Sequence, residues 1–334
     1  MERLLGRVSP ILHLTRVTTA FAAVSNVWFV ILYTAMSPDE FHPAAYAKHP
    51  LWLLLLGGTA SALGLYAFAT SMNDILDIRR DRSLHPDRPL AKGSITPETA
   101  SVVVAFSLII AVLGSTVFGL PSTLLTLGLT LAILFFNGAA RFVPGFGLIL
   151  LGLIYAGHML VPNPGLRFLW PVWMVMTHAL LVAAFTHILA RKVPPLSGRA
   201  MIMAAGGWVV WSGLILIIGS ARVSGKTQTI EPPAVLWPTW ISPTAAIIPT
   251  LLFLAFLAFA IRRSLQFGPG SRAADKIYRY GSLWLTLYAS AWMLGMGLTA
   301  AALILSILAL LGFVTMTILR ELYGMAEQPV GYRR

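Results

Sequence analysis

The chain has 334 residues, 57% of them hydrophobic and only 11% charged, a net charge of +12 and no cysteine. A charged share so far below the about 25% of soluble domains excludes an ordinary soluble domain, and the missing cysteines exclude disulfides, thiol nucleophiles and thiolate metal sites. Long uncharged blocks also exclude the alternating pattern of a membrane β-barrel, which leaves an all-α, polytopic membrane helical bundle.

Arg3 and Arg7 precede only a short apolar run, so the first long run is read as a membrane span rather than a cleaved signal peptide. A bilayer core about 30 Å thick needs roughly 20 apolar residues in a helix. Runs of that size lie at about 17–36, 51–72, 98–118, 121–138, 146–161, 170–190, 200–220, 245–261, 281–297 and 299–319. Nine to ten spans are predicted, because 281–319 is almost continuously apolar and only Gly295 and Gly297 offer a break; one long tilted helix is the alternative there. With the N-terminus inside, twenty of the 24 basic residues fall on the inner side, leaving Lys48, Arg167, Arg222 and Lys226 outside. That bias follows the positive-inside rule. The basicity therefore reports topology and anionic lipid heads, with no nucleic-acid partner. The expected location is a bacterial-type cytoplasmic membrane, with the N-terminus cytoplasmic.

The longest inner segment of the first half, from Asn73 to about Pro97, carries Asp74, Asp77, Asp81 and Asp87, four of the twelve acidic residues. The preceding span enters it without Gly or Pro, so the spacing predicts a helix continuing through Asp81. On that helix Asp74, Asp77 and Asp81 fall within roughly 60° of one another, with Asn73 at the edge. Carboxylates gathered there repel one another, and a divalent cation removes the penalty. Oxygen ligands of this kind suit Mg²⁺, which completes its shell with water and phosphate. The other reading is a solvated helix end whose acids pair with Arg79, Arg80 and Arg82. Spacing alone leaves both open, although Arg79 and Arg80 are expected to point away from the acidic face.

The run N-D-x-x-D-x-x-x-D, followed by x-x-x-H-P-D-R-P-L-A-K-G, resembles the first aspartate-rich motif of the UbiA superfamily of intramembrane prenyltransferases. It comprises Asn73, Asp74, Asp77 and Asp81, then Pro86, Asp87, Arg88, Pro89, Leu90 and Gly93, between the second and third predicted spans. The resemblance implies that Asn73, Asp74 and Asp77 hold Mg²⁺ against a prenyl diphosphate with Asp81 in support. It also places Arg88 on the phosphate oxygens, which a guanidinium fork fits.

The family's second aspartate-rich motif is missing. Its loop reads Thr186-His187-Ile188-Leu189-Ala190-Arg191-Lys192-Val193-Pro194-Pro195, and no Asp or Glu occurs from Thr99 to Ile230. Arg191 and Lys192 stand where the acids would be, and fixed positive charge supplies part of what a metal does for a diphosphate. His187 and Arg191 are expected to share a helix face, as are Asn137 and Arg141 at the end of the fourth span. All five are predicted to bind diphosphate, and the stretch around Asn137 and Arg141 is similar to a less specific family segment. Ordinary flanking charge is the alternative for both clusters. His178, nine residues from His187, is expected to face the opposite way, as a packing or cavity residue. Asp275, Tyr278 and Tyr280 are further candidates to approach the site. Gly145-x-Gly147 opens an apolar helix with no strand before it, which excludes a nucleotide-binding reading. The Pro- and Trp-rich outer loop 221–243 is predicted to be interfacial.

Together these readings imply one transmembrane prenyltransferase-like domain over 1–334, with a first half to about 145 that contains the Asp-rich loop 73–97 and a second half from about 146. The predicted reaction is Mg²⁺-dependent transfer of a prenyl group from its diphosphate to an acceptor, an aromatic compound or other small lipid precursor, within the membrane. The alternatives are a UbiA-type terpene cyclase, a sugar- or glycerol-phosphate prenyltransferase, and a non-catalytic isoprenoid-lipid binding or carrier protein.

Overall fold

The computed structural model describes residues 10–16, 19–84, 86, 88–224 and 236–327, and among these there is no β-strand. The helices are α1 (Phe21–Met36), α2 (Ala44–Lys48), α3 (Leu51–Leu76), α4 (Ile78–Leu84), α5 (Pro89–Lys92), α6 (Pro97–Thr116), α7 (Leu120–Gly138), α8 (Pro144–Met159), α9 (Trp170–Leu189), α10 (Gly198–Ser224), α11 (Ile247–Phe267), α12 (Ser271–Gly295) and α13 (Thr299–Glu327). The ten longer ones match the ten predicted apolar runs. Seven of the described helical segments are long and apolar enough to cross a membrane, whereas α1 and α8 are apolar but shorter. The apolar side chains left exposed on α6, α7, α10 and α11, Val102, Leu131, Ile202 and Leu251 among them, suit contact with lipid.

The final apolar stretch is two helices. The chain turns at Met296–Leu298, where Gly297 takes φ +77° and Leu298 N–H donates to Met293 O at 2.9 Å. α12 starts ten residues before the predicted 281, because residues 271–280 continue the helix in polar form with Arg279 paired to Asp275 at 2.8 Å. The predicted interfacial segment instead packs partly inside: the Trp237 ring lies 5.3 Å from Phe168 and 6.2 Å from Trp292, and Trp237 Nε1 donates to Ile241 O. Pro232 and Pro233 lie outside the described residues.

In lipid, helices associate by close packing rather than by exclusion from water, so small residues mark their contacts. α3 and α6 meet in this way. A Cβ on Gly64 would lie 2.5 Å from Ala111 N and 2.6 Å from Ser107 O, and one on Gly114 would lie 2.5 Å from both Gly57 O and Ser61 N. The obstructing atoms are backbone and cannot rotate aside. This contact sets the angle at which α3 delivers Asn73 to Asp77 to the polar end of the bundle. Gly64→Val is expected to destabilise the protein by about 3 kcal/mol through overpacking. Thermal unfolding in detergent measures this, and an unchanged midpoint would contradict the close packing.

Candidate active site

α3 does not run straight through Asp81. It ends at Leu76, Asp77 turns out of helical geometry at φ −94° and ψ 2°, and α4 resumes at Ile78. The deviation is a kink rather than a break: Asp77 N–H still donates to Asn73 O at 3.0 Å, and Asp81 N–H donates to Asp77 O at 2.8 Å.

Residues 88–95 then position a guanidinium. Pro89 occupies the first turn of α5, where its missing N–H costs nothing. Leu90 is buried beside Leu14, Ile95 and Ala100, and Gly93 ends the helix at φ +78°, a conformation glycine adopts without a Cβ penalty. Anchored in this way, Arg88 at the N-cap reaches back to α4. Asp87 and His85 lie outside the described residues.

The kink sorts the acidic face into two pairs, each closed by an arginine. Arg141 Nη1 donates to Asn73 Oδ1 at 2.8 Å and to Asp77 Oδ2 at 2.7 Å, while its Nη2 donates to Asp77 Oδ1 at 2.6 Å. Arg88 Nη1 lies 2.6 Å from Asp81 Oδ2 and 3.5 Å from Asp74 Oδ1, and Arg16 Nη2 takes the same Asp74 oxygen at 2.9 Å. The acids are therefore paired, but by arginines from three other parts of the chain; no ion pair joins them to Arg79, Arg80 or Arg82 among the described residues. Among the described residues no three His, Asp or Glu side chains gather there as a ready metal cluster either. Guanidiniums relieve the carboxylate repulsion instead, that of Arg141 gripping Asp77 through two nitrogens.

These groups form one end of a cavity of about 650 Å³. Asn73, Asp77, Arg80, Asp81, Arg88, Arg141 and Arg16 line that end, and Leu148, Leu151, Ala179, Val182, Ala183 and Leu285 line its apolar depth. Arg80 thus faces the cavity, contrary to expectation. Asp74 and Asn137 stand behind the wall, both buried, the latter with its amide 3.5 Å from Ala69 O. Arg141 does not share a helix face with Asn137, because α7 ends at Gly138 and Arg141 sits in the short 3₁₀ turn that follows.

From the second half, His187, Arg191 and Lys192 all line the cavity. α9 ends at Leu189, so Arg191 is placed not by a shared helix face but by a tight turn in which it takes φ +49°. Arg16, at φ +47°, is the other described non-glycine residue with positive φ. Such backbone costs of order 1 kcal/mol and gathers at functional sites. Burial holds the Lys192 pKa below the ordinary lysine value, as do Arg16, Arg80 and Arg88 nearby, with Asp77 opposing them. Lys192 thus stands among the first-half groups across the cavity.

His178 and His187 lie on opposite sides of α9, as expected, and both border the cavity. Residues 178, 179, 182, 183, 186, 187 and 190 of the α9 segment all line it, and at about 100° per residue they fill one half of the helix surface, with the two histidines at its edges. His178 Nε2 donates to Gly281 O at 2.8 Å, leaving Nδ1 to accept from Tyr288 Oη at 3.0 Å. Tyr278 lines the cavity, while Asp275 pairs with Arg279 and Tyr280 packs on Phe259. Sequence reading counted Arg16 only as a topological charge and did not single out Tyr66 or Tyr155. Tyr66 Oη shares hydrogen bonds with Thr19 and Tyr278, and no local spacing announces contacts of such long sequence separation.

No family model matches the chain, and no curated protein matches it. Solved structures do match. The chain is similar to a digeranylgeranylglyceryl phosphate synthase, with a TM-score of 0.53 at 17% identity over 89% of this chain and 99% of that one. It also aligns with a UbiA homolog from Archaeoglobus fulgidus bound to DMAPP and Mg²⁺ (TM-score 0.49, 14% identity, 86% of this chain and 99% of that one). A third match is a UbiA homolog from Aeropyrum pernix K1 (TM-score 0.47, 16% identity, 81% and 96%). The chain shares the overall fold of the digeranylgeranylglyceryl phosphate synthase.

The Arg141–Asp77 pair is largely buried, with 15% and 13% of the side chains exposed. Arg141→Ala, which leaves Asp77 charged and unpaired, is expected to cost about 3 kcal/mol. Arg141→Ala combined with Asp77→Asn is expected to cost less than the single change, since no bare charge remains. Equal losses in thermal unfolding would contradict the pairing.

Proposed function

We propose that this chain transfers a prenyl group from a prenyl diphosphate to an acceptor inside the membrane. One observation carries the reading: six cationic side chains, Arg16, Arg80, Arg88, Arg141, Arg191 and Lys192, line the end of an apolar chamber together with Asp77 and Asp81, while Asp74 stands behind the wall on Arg16 and Arg88. Three of these cations, Arg80, Arg191 and Lys192, have no carboxylate partner among the described residues, and their combined field at the mouth of the cavity favours an anion. The apolar depth calls for a ligand with a hydrocarbon tail. A prenyl diphosphate has both parts, and the UbiA fold with the N-D-x-x-D array supports that choice.

The donor set fits Mg²⁺. Asn73 Oδ1 and Asp77 Oδ2 converge on a single guanidinium nitrogen, and Asp74 and Asp81 converge on another, so each pair encloses a point where positive charge is already favoured. Asn73 and Asp77 would hold the ion, with Asp74 and Asp81 as the second pair; water and phosphate oxygens complete such a shell. When bound, the ion supplies charge stabilisation to the leaving diphosphate. Arg88 and Arg141, released from the carboxylates, would turn to the phosphate oxygens, and Arg191 and Lys192 would face them from the other half. Positive charge held in place where negative charge develops is the main contribution such a site makes. The C1–O bond then breaks with its electron pair on the diphosphate. Leu148, Leu151 and Leu285 keep water from the cationic prenyl carbon, and the rings of Tyr155 and Phe136 offer it π faces.

The unit is the whole chain, with the halves meeting at about residue 145 and the polar end facing the cytoplasm, as the positive-inside count supports. The second reading, a non-catalytic isoprenoid-phosphate carrier, draws on the arginines that already neutralise every described carboxylate of the motif.

Purified protein given Mg²⁺, a panel of prenyl diphosphates and candidate acceptors is expected to release pyrophosphate, and Asp74→Ala/Asp77→Ala to abolish the release. Metal-dependent binding without release across a broad panel would instead select the carrier. Arg191→Ala/Lys192→Ala is expected to weaken diphosphate affinity by about ten-fold or more, the worth of one or two charge-assisted contacts. Unchanged affinity in the folded variant would remove the second-half cations from the site.

A further inference from the structure

Proton removal is the part of the reaction for which the aspartate array provides nothing. An acceptor that bonds to prenyl C1 must lose a proton from its nucleophilic atom, and the chain has no acidic residue from Thr99 to Ile230 that could take it. The described motif carboxylates are committed to cations: both oxygens of Asp77 bond Arg141, while Asp74 and Asp81 share Arg88. His178 is closed as well, since Gly281 O and Tyr288 Oη occupy its two nitrogens.

His187 is different. Its Nε2 lies 2.9 Å from Pro194 O. A carbonyl oxygen only accepts, so this nitrogen carries the proton, and the neutral ring keeps its lone pair on Nδ1. That atom has no hydrogen-bond partner among the described residues, and the ring lines the cavity. The same geometry argues against the sequence-based role of His187 in diphosphate binding, because its one N–H is already used.

Resting on the prenyl-transfer reading, we propose that His187 Nδ1 is the general base of this site. As the C1–O bond breaks and its electron pair leaves with the diphosphate, the acceptor's nucleophilic atom bonds to C1. The proton displaced from that atom passes to Nδ1. The imidazolium later returns it to water at the polar end. Two features favour this charge. His187 lies in the last turn of α9, where the helix dipole stabilises a cation, and Pro194 O holds the ring through Nε2 as an orienting group holds a catalytic histidine. Partial burial of the ring and the Lys192 charge oppose the imidazolium, the latter until a diphosphate offsets it, which ties proton uptake to a loaded site. Where UbiA-type enzymes usually carry a second aspartate-rich motif, this chain would divide the work: Arg191 and Lys192 hold the anion and His187 takes the proton.

The test compares wild type with His187→Gln and His187→Ala in detergent, using the prenyl diphosphate and acceptor that support wild-type turnover. The Gln amide N–H can keep the bond to Pro194 O but offers no basic nitrogen, so this variant separates fold from chemistry. The expected result for His187→Gln is a folded protein with near wild-type KM for the prenyl diphosphate and kcat lowered by about 10²- to 10³-fold, the usual worth of a general base. In His187→Ala, added imidazole is expected to restore part of kcat, with no such gain in wild type or Lys192→Ala. His187→Gln turning over within about three-fold of wild type, or loss in His187→Ala that imidazole leaves untouched, would overturn the proposal. Wild-type protein that releases no pyrophosphate with any acceptor would instead remove the prenyl-transfer reading beneath it.

Discussion

Three arginines from distant parts of the chain, Arg16, Arg88 and Arg141, hold the carboxylates of a single short segment, and the polar end of the bundle is organised around those pairs. In water such contacts contribute little. At the end of an apolar bundle, an unpaired carboxylate carries a desolvation cost of several kcal/mol. Every element that brings an arginine is therefore fixed in place: the segment before α1 by Arg16, the loop into α5 by Arg88, and the 3₁₀ turn after α7 by Arg141. The close α3–α6 contact at Gly64 and Gly114 sets where the carboxylates arrive.

The charges do not balance, and the imbalance separates a binding site from a merely stable one. Arg80, Arg191 and Lys192 face the same cavity without an ion-pair partner among the described residues, and Arg191 does so from a left-handed turn. This chain leaves the charge open beside an apolar chamber, the arrangement an amphipathic anion would complete.

The number and order of the long helices were legible because the apolar runs are separated by charged, Pro- or Gly-containing breaks, although α1 and α8 fall short of a full span. The N-D-x-x-D-x-x-x-D spacing likewise located the polar end. Spacing could not show that Asp77 kinks the helix, since no Gly or Pro marks the place; the kink goes with tertiary contacts, Asn73 and Asp77 reaching Arg141 while Asp74 and Asp81 reach Arg88. Arg16 escaped for a related reason, because its partner lies 58 residues away and nothing local distinguishes it from a flanking charge. The nine-residue spacing rightly set His178 and His187 on opposite sides of α9, but it could not show that both border one cavity. That helix is packed in the interior of the bundle and offers half its circumference to the cavity.

Manganese binding followed by electron paramagnetic resonance, with a non-hydrolysable prenyl diphosphate analogue present, tests most directly whether the arginine-paired carboxylates yield to a metal–diphosphate complex. Exchange of this kind predicts saturable Mn²⁺ binding that requires the analogue and disappears in the Asp74→Ala/Asp77→Ala protein. Mn²⁺ binding that is indifferent to both the analogue and the substitutions would contradict it.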